Sequence, residues 1–148
     1  MPKTPKNKKG FTLIELLIVI AIIGILAAIT LVVMNHNRHL ASSRNTRRKL
    51  DVHTISIAVI QNTVDTGFIP SVITTTETEI CRKNAASCSG LVDLSILTLN
   101  SKYLISIPID PKTTSTDSAG YTIYRTAFGR VVINAPLAEN SEIISVER

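Results

Sequence analysis

The hydrophobic and polar positions divide the chain into an apolar block, an amphipathic stretch and a mixed carboxy-terminal half. Residues 11–34 contain one charged side chain, Glu15, and no proline. At 1.5 Å per residue, a helix of this length reaches about 36 Å, more than the ~30 Å hydrocarbon core of a bilayer. The pattern therefore predicts a membrane-spanning helix over residues 11–34. A carboxylate in such a segment costs on the order of a few kcal/mol, so we expect Glu15 to have a partner.

The second pattern, over residues 35–66, is helical and amphipathic. The apolar stripe expected to face a core combines a seven-residue repeat with its neighbours: Leu50, Val52, Ile55, Ile57, Val59, Ile60 and Val64. The polar side is expected to carry Arg44, Arg47, Arg48, Asp51, Gln61 and Asp65. Gly67 suits a left-handed cap and Pro70 cannot continue a helix, so the helix should end near Thr66. One helix from Phe11 to Thr66 would be about 80 Å long.

The third pattern consists of short runs rich in β-branched residues, at residues 121–126, 130–135 and 142–146, separated by turns. They predict a three-stranded antiparallel sheet within residues 120–147, whose apolar face carries Ile123, Val132 and Ile144. Residues 71–90 are polar and predict a surface loop, and the leucines that follow predict a short helix or turn. The fold class is therefore α+β. The second half of a long amino-terminal helix packs on a small carboxy-terminal sheet within a head of residues 67–148.

Composition limits the partners that this chain can have. The 148 residues suffice for one small domain and an anchor, and the net charge is +5. Residues 1–10 hold four lysines and no acid, so the remainder has 12 basic and 11 acidic groups, or +1. A nearly neutral chain with three Tyr, three Phe and no Trp does not predict nucleic-acid binding. The basic cluster from Arg44 to Lys49 could contact phosphates or lipid headgroups, but nearby acids favour a solvated helix face.

The start of the apolar block carries a specific motif. After a short basic leader come Gly10, Phe11, Thr12, Leu13, Ile14, Glu15 and Leu16. This junction resembles the signal of the type IV pilin superfamily, which includes the pseudopilins of type II secretion. The resemblance implies that a prepilin peptidase removes residues 1–10 by cutting after Gly10 and methylates the new terminus, Phe11. It also implies that Glu15 neutralises the terminal cation of a neighbouring subunit during filament assembly.

Two alternatives compete for the same segment. An ordinary secretory signal peptide would be cut near Ala27 and Ala28, but Glu15 and the apolar length argue against it. A plain membrane anchor on an unrelated domain is the other alternative. Basic residues flank the span on both sides, so charge does not decide its orientation. The resemblance implies a single-pass inner-membrane protein with its carboxy-terminal domain outside the cytoplasm, assembled into a periplasmic or extracellular filament.

The carboxy-terminal half strengthens the resemblance, specifically to major pseudopilins. The matching stretches are Asp-Thr-Gly-Phe-Ile-Pro at residues 65–70, Ile-Pro-Ile-Asp-Pro at residues 107–111 and Tyr-Thr-Ile-Tyr at residues 121–124. The partners implied are further copies of the chain, minor pseudopilins, the peptidase, an inner-membrane assembly platform and membrane lipids. Related pseudopilins bind calcium in the loop after residue 111, where Asp110, Asp117 and the carbonyls of residues 114–118 could supply oxygens. The alternative is a simple turn in which Asp110 accepts hydrogen bonds from local amides.

Two further features bear on function. Cys81 and Cys88 predict a disulfide across a short loop in an exported protein, with free thiols as the alternative. The sequence contains no phosphate-cradling glycine loop and no Gly-x-Ser-x-Gly elbow, so it does not predict an enzyme. The function hypotheses are a type II secretion pseudopilin, a surface pilin for adhesion, motility or DNA uptake, and, from another class, a nucleic-acid-binding receptor.

Overall fold

The computed structural model describes residues 10–34 and 36–148. The chain separates into two compact units, which divide between His39 and Leu40. Most of the predicted leader, residues 1–9, lies outside the described residues. So does Asn35, on which the prediction of one uninterrupted helix depends.

Helix α1, Leu13–Met34, forms most of the first unit. The Thr12 hydroxyl accepts a hydrogen bond from the Glu15 amide at 3.3 Å, which caps the first turn. Residues Leu13–Leu31 have a mean hydropathy of 2.9 and are long enough to cross a membrane, and none of this segment is buried within the protein. A helix that is apolar on every side needs a lipid or protein environment, as the hydrophobic pattern predicts.

Helix α2, His36–Thr66, ends where the sequence predicts. Gly67 follows at φ 81°, and its amide donates to the carbonyl of Thr63 at 2.8 Å. This is the left-handed glycine cap that residue 67 was expected to provide, because glycine adopts positive φ without a Cβ clash.

The predicted buried face of α2 is wrong in part. The centre of the buried face has alternating spacings of four and three residues, at Ala41, Asn45, Arg48, Val52, Ile55, Val59 and Asn62, and Ser56 and Ala58 are also buried. Leu50 and Val64 are 64% and 76% exposed, and Ile57 and Ile60 are also exposed. Leu50 lies two residues from Val52, about 200° around the helix, so the repeat at residues 50, 57 and 64 faces away from the core. Arg48, predicted on the polar side, is fully buried.

The head contains a four-stranded antiparallel sheet in the order β1-β2-β3-β4. Its strands are β1 Thr78–Cys81, β2 Ser118–Arg125, β3 Val131–Asn134 and β4 Ser145–Glu147. The predicted α+β fold is confirmed, with one more strand than the sequence predicts. Strand β1 lies inside the segment predicted as a loop, where Ile73 and Ile80 are also buried. These two side chains had no periodic context that would mark them as core.

The sheet contributes Ile123 and Ile133 to the core, and the two lie opposite each other in register. The prediction that Val132 lies on this face is wrong. Its neighbour Ile133 faces the core instead, because successive side chains of a strand point to opposite faces of the sheet. The predicted short helix is present as α3, Ser95–Thr98, followed by a 3-10 turn at Leu99–Ser101. Leu94 and Leu97 from this region are fully buried in the same core.

Candidate functional site

The predicted processing site is accessible. Phe11 is 81% exposed and precedes the start of α1 at Leu13. A Cβ atom added at Gly10 would meet nothing within 4 Å. A peptidase needs an accessible, non-helical backbone around the bond that it cuts, and the junction after Gly10 meets both conditions.

Glu15 lies in the first turn of α1 and is exposed. None of the ion pairs found among residues 10–34 and 36–148 includes it. The amino-terminal end of a helix favours a carboxylate, because unpaired amide groups and the helix dipole give that end a partial positive charge. Glu15 is thus held as an exposed carboxylate at the end of an apolar helix.

Cys81 and Cys88 form the predicted disulfide, with their Cα atoms 5.5 Å apart. Cys81 is the last residue of β1 and is almost fully buried. The loop between the two cysteines is mostly exposed, and Lys83 within it donates to the carbonyl of Ile105 at 3.4 Å.

The two candidate calcium ligands have different protein partners. The Asp110 carboxylate is buried and accepts from Arg48 Nε at 2.6 Å, Arg48 Nη2 at 3.1 Å and the Lys112 amide at 2.7 Å. Asp117 Oδ1 accepts from the amide of Ala86 at 2.9 Å. In the part of the chain that the structure describes, no three His, Cys, Asp or Glu side chains are grouped to hold a metal ion. This geometry favours the alternative of an aspartate turn.

Arg48 also belongs to a polar network that the sequence analysis missed. Glu139 accepts from Arg44 Nε at 2.6 Å, Arg48 Nη1 at 3.1 Å and Lys112 Nζ at 3.3 Å. The hydrogen bond from Arg44 holds the pKa of Glu139 well below its usual range. The hydrogen bond to Asp110 raises the pKa of Arg48. The network therefore favours the charged forms of Glu139 and Arg48.

The turn at residues 139–142 completes this network, and we call it the hairpin clamp. Asn140 and Ser141 both have φ 57°, and the Glu142 amide donates to the Glu139 carbonyl at 3.2 Å. Asn45 on α2 donates to the Glu139 carbonyl at 2.7 Å and accepts from the Glu139 amide at 3.0 Å. The clamp thereby fixes the first turns of α2 within the head to the β3–β4 connection.

The clamp also changes the interpretation of the basic cluster from Arg44 to Lys49. Arg44 and Arg48 pair with Glu139, Lys49 pairs with Glu142, and Arg47 lies 3.8 Å from Asp51. The positive charges are matched by acids within the chain, so the cluster is not an open phosphate-binding surface. The partners on α2 and in the turn are about 90 residues apart in the sequence, so no local pattern predicts their contact. The Asn-Ser pair between Glu139 and Glu142 indicates a turn but not what the turn binds.

A second buried pair joins α2 to the sheet. Tyr121 is fully buried and its hydroxyl donates to Asp51 Oδ2 at 2.7 Å. Burial raises the pKa of both the Tyr121 phenol and the Asp51 carboxyl. The sequence predicted Tyr121 in a strand but gave no reason to place it opposite Asp51.

Comparison with known families gives one match. Residues 5–31 match the family described as the prokaryotic N-terminal methylation motif. No curated protein and no solved structure matches the chain. The motif indicates a prepilin-type amino terminus, as in type IV pilins and pseudopilins, and implies processing by a prepilin peptidase followed by polymerisation. The apolar helix over Leu13–Leu31 is consistent with a pilin-type membrane anchor.

Proposed function

We propose that the chain is a structural subunit of a type IV pilus-like filament, most similar in role to the pseudopilins of type II secretion. The observation that carries this proposal is the methylation motif at residues 5–31, together with the exposed helix α1, which contains residues 13–31 of the match. In the proposed pathway, the peptidase cuts after Gly10 and methylates Phe11. The processed chain then polymerises through its amino-terminal helix.

The charge on Glu15 provides the assembly mechanism in this proposal. Cleavage creates a cationic amine at Phe11, four residues before Glu15. A lone charge in an apolar helix bundle is costly, whereas a paired one is tolerated and fixes the register of its neighbours. The Glu15 carboxylate of one copy therefore neutralises the terminal amine of the next. Copies in the wrong register would leave both charges unpaired.

The outer face of α2 gives a second argument for assembly. Leu50, Ile57 and Val64 form an apolar stripe on the helix surface that the head does not cover. Stripes at a seven-residue spacing are typical of helices that pack against other helices. In a filament subunit this stripe would be covered by neighbouring subunits.

The pseudopilin interpretation rests on the segment from residue 107 to residue 124. Its Ile-Pro-Ile-Asp-Pro stretch places the carboxylate of Asp110 against Arg48 of α2, so the resemblance involves residues that hold the head together. The alternative is a surface pilin, and the observation that favours it is the exposed loop between Cys81 and Cys88. The proposed partners are minor subunits of the same type, the assembly platform and the membrane.

The test is intact mass spectrometry of sheared extracellular material and of washed membranes from cells with an assembly system. A mass that starts at methylated Phe11 supports the proposal in either fraction. Its presence in the sheared fraction favours the surface pilin, and its restriction to membranes favours the pseudopilin. A start near Ile29 would mean an ordinary signal peptide and would refute the proposal. Gly10→Val serves as the unprocessed control and should keep the full-length mass.

A further inference from the structure

The loop closed by the disulfide contacts a second loop that is distant in sequence. We call residues 81–88 the disulfide loop and residues 110–117 the aspartate loop. Arg82 Nη1 donates to the Ser115 carbonyl at 3.0 Å, and the Arg82 amide donates to the Asp117 carbonyl at 2.8 Å. The Ala86 amide donates to Asp117 Oδ1 at 2.9 Å. Three hydrogen bonds therefore run from the disulfide loop to the far end of the aspartate loop.

Ser115, which Arg82 contacts, forms further hydrogen bonds within the aspartate loop. The Ser115 hydroxyl accepts from the amides of Asp117 at 3.2 Å and Ser118 at 2.8 Å. The Thr113 amide donates to the carbonyl of Asp110 at 3.2 Å. The Ser115 amide in turn donates to the Thr113 hydroxyl at 3.4 Å. A series of hydrogen bonds within the aspartate loop therefore connects Ser115 to Asp110, the buried partner of Arg48.

Apart from these contacts, the disulfide loop is held by the hydrogen bond of Lys83 to the Ile105 carbonyl and by one from the Ala85 amide to the Arg82 carbonyl at 3.3 Å. Its middle residues are polar or small and mostly exposed, whereas Cys81 is anchored in β1. Without the covalent link, these residues would gain backbone freedom, and that freedom opposes the ordering of Arg82 and Ala86 against the aspartate loop. The link to Cys88 removes this freedom before the contacts form.

The atoms engaged by the disulfide loop include those that a calcium ion would use. Asp117 Oδ1 and the Ser115 carbonyl accept from it, and the carboxylate of Asp110 accepts from Arg48. The cationic guanidinium of Arg82 donates to the Ser115 carbonyl, one of the oxygens that the sequence analysis offered to calcium as an alternative to a simple aspartate turn. Protein donors already occupy these oxygens.

We propose that the Cys81–Cys88 disulfide is a redox-controlled latch that holds the aspartate loop closed, in the structural role that calcium would have had under one of the two sequence-based alternatives. Formation of the S–S bond sets the latch, as the two thiols pass two electrons and two protons to an external disulfide oxidant, which becomes a dithiol. A dithiol reductant reverses the exchange, is itself oxidised to a disulfide, and releases the latch as two thiols. Disulfides form in oxidising compartments and are reduced in the cytosol, so the aspartate loop would be ordered only after the head leaves the cytoplasm. The proposal does not depend on filament assembly.

The test is amide hydrogen exchange on the full chain in detergent micelles, with oxidised and reduced samples each measured with added calcium and with a chelator. Reduction should accelerate exchange at residues 113–118 by about tenfold or more, while the amides of β3 change by less than about twofold. Calcium should not restore protection in the reduced sample, and the chelator should not remove it from the oxidised one.

Point variants keep the test independent of the reductant. Arg82→Met should accelerate exchange at residues 113–118 with the disulfide intact. Lys83→Met, which changes the neighbouring side chain bonded to Ile105, should not. Unchanged exchange at residues 113–118 after reduction would overturn the latch, and so would equal acceleration in β3, which would indicate a general loss of stability. Loss of protection on chelation alone would assign the role to a metal ion instead.

Discussion

Arg48 shows how a single residue can reverse the meaning of a sequence pattern. It lies in a run of basic residues and was expected to face solvent, yet its guanidinium is fully buried between Asp110 and Glu139. Its nearest carboxylate partner is 62 residues away in sequence. Helical periodicity assigns residues to faces by polarity alone, so a buried ion pair is placed on the wrong face whenever its partner is distant.

Replacing Arg48 tests the weight of this buried pair. Arg48→Met leaves the buried carboxyl of Asp110 without its partner, and removal of one member of a buried ion pair costs about 3–5 kcal/mol. Arg47→Met is the matched control, because the Arg47 side chain is 64% exposed and its Nε lies 3.8 Å from Asp51, and ion pairs with such an exposed member contribute about 0–1 kcal/mol. Urea unfolding of the full chain in micelles measures both. Equal free energies of unfolding in the two variants would show that the buried pair contributes no more than the exposed one.

The depressed pKa of Glu139 predicts a loss of stability in acid. Its hydrogen bond with Arg44 lowers the folded-state pKa from an ordinary value of 4.5. A carboxyl with a lower pKa in the folded state binds fewer protons there, so its stabilisation is complete above about pH 4.5 and declines as the pH falls further. Thermal unfolding between pH 7 and pH 2 should show this decline. Glu139→Gln should flatten it, and an unchanged pH dependence in that variant would contradict the assignment.

Gly120 is required by a close approach as well as by its backbone angle. It has φ +82°, and a Cβ atom there would lie 2.8 Å from the Asp110 Cβ. Gly129 has nearly the same angle, φ +81°, with nothing within 4 Å. Gly129→Ala should cost about 1–2 kcal/mol from the angle alone, and Gly120→Ala about 1–3 kcal/mol more from the clash. Chemical denaturation compares them, and equal losses would mean that the clash is relieved at no cost.

At the scale of elements, the sequence predicts those whose signals are local. The end of α2 at Gly67 and the short helix near Leu97 follow from residues next to one another. Strand β1 was missed because Thr78–Cys81 has little alternation and gains its structure from pairing with β2, about 40 residues later. The face of α2 was misplaced because the helix carries apolar residues on two opposite sides, and periodicity does not say which side the head covers.

Substitutions on the two faces of α2 should have different effects on the stability of the head and on polymer yield. Ile55→Ala removes a fully buried side chain and should destabilise the head by about 2–5 kcal/mol. Ile57→Ser, on the exposed stripe, should change the free energy of unfolding by less than about 0.5 kcal/mol.

In the proposed filament, Ile57→Ser should still reduce the yield of sheared or cross-linked polymer, because it places a hydroxyl in a helix–helix contact. Unfolding measurements and polymer yield together separate the two faces. Normal polymer from the triple variant of Leu50, Ile57 and Val64 to Ser would remove the stripe from the assembly argument.

At the scale of the whole molecule, the sequence predicts features formed by neighbouring residues better than the contacts between distant segments that hold the head together. Cys81 and Cys88 form a short-range pair, and their predicted disulfide is confirmed. Gly10, Phe11 and Glu15 form a local motif whose roles are implied by the resemblance to prepilin signals and stay a prediction. The clamp around Glu139, the Tyr121–Asp51 pair and the contacts of Arg82 all join segments far apart in the chain. No local pattern records such contacts, because the first two form where α2 packs on the sheet and its connections, and the contacts of Arg82 form between two loops of the head.

Glu15→Ala tests the proposed assembly mechanism. Cleavage after Gly10 should be retained, since the junction is accessible without the carboxylate, but polymer yield should fall strongly because the neighbouring amine loses its counter-charge. Intact mass measures processing and the sheared or cross-linked fraction measures assembly. Thr12→Ala is the control for a local change in the first turn and should leave assembly largely intact. Normal polymer from Glu15→Ala would exclude charge neutralisation as the mechanism.

The contacts that the hairpin clamp makes with α2 determine how the head can be prepared without the apolar helix α1. Ala41 is buried in the head, and Arg44, Asn45 and Arg48 bind the clamp or Asp110. A truncation that begins at residue 50, where the predicted apolar stripe starts, would strand Asp110 in the core with no counter-charge. A cut near the His39–Leu40 division keeps every one of these contacts. A fragment that contains an intact head should therefore begin before Ala41, where the contacts with the head begin, even though the amphipathic stretch continues well beyond that residue.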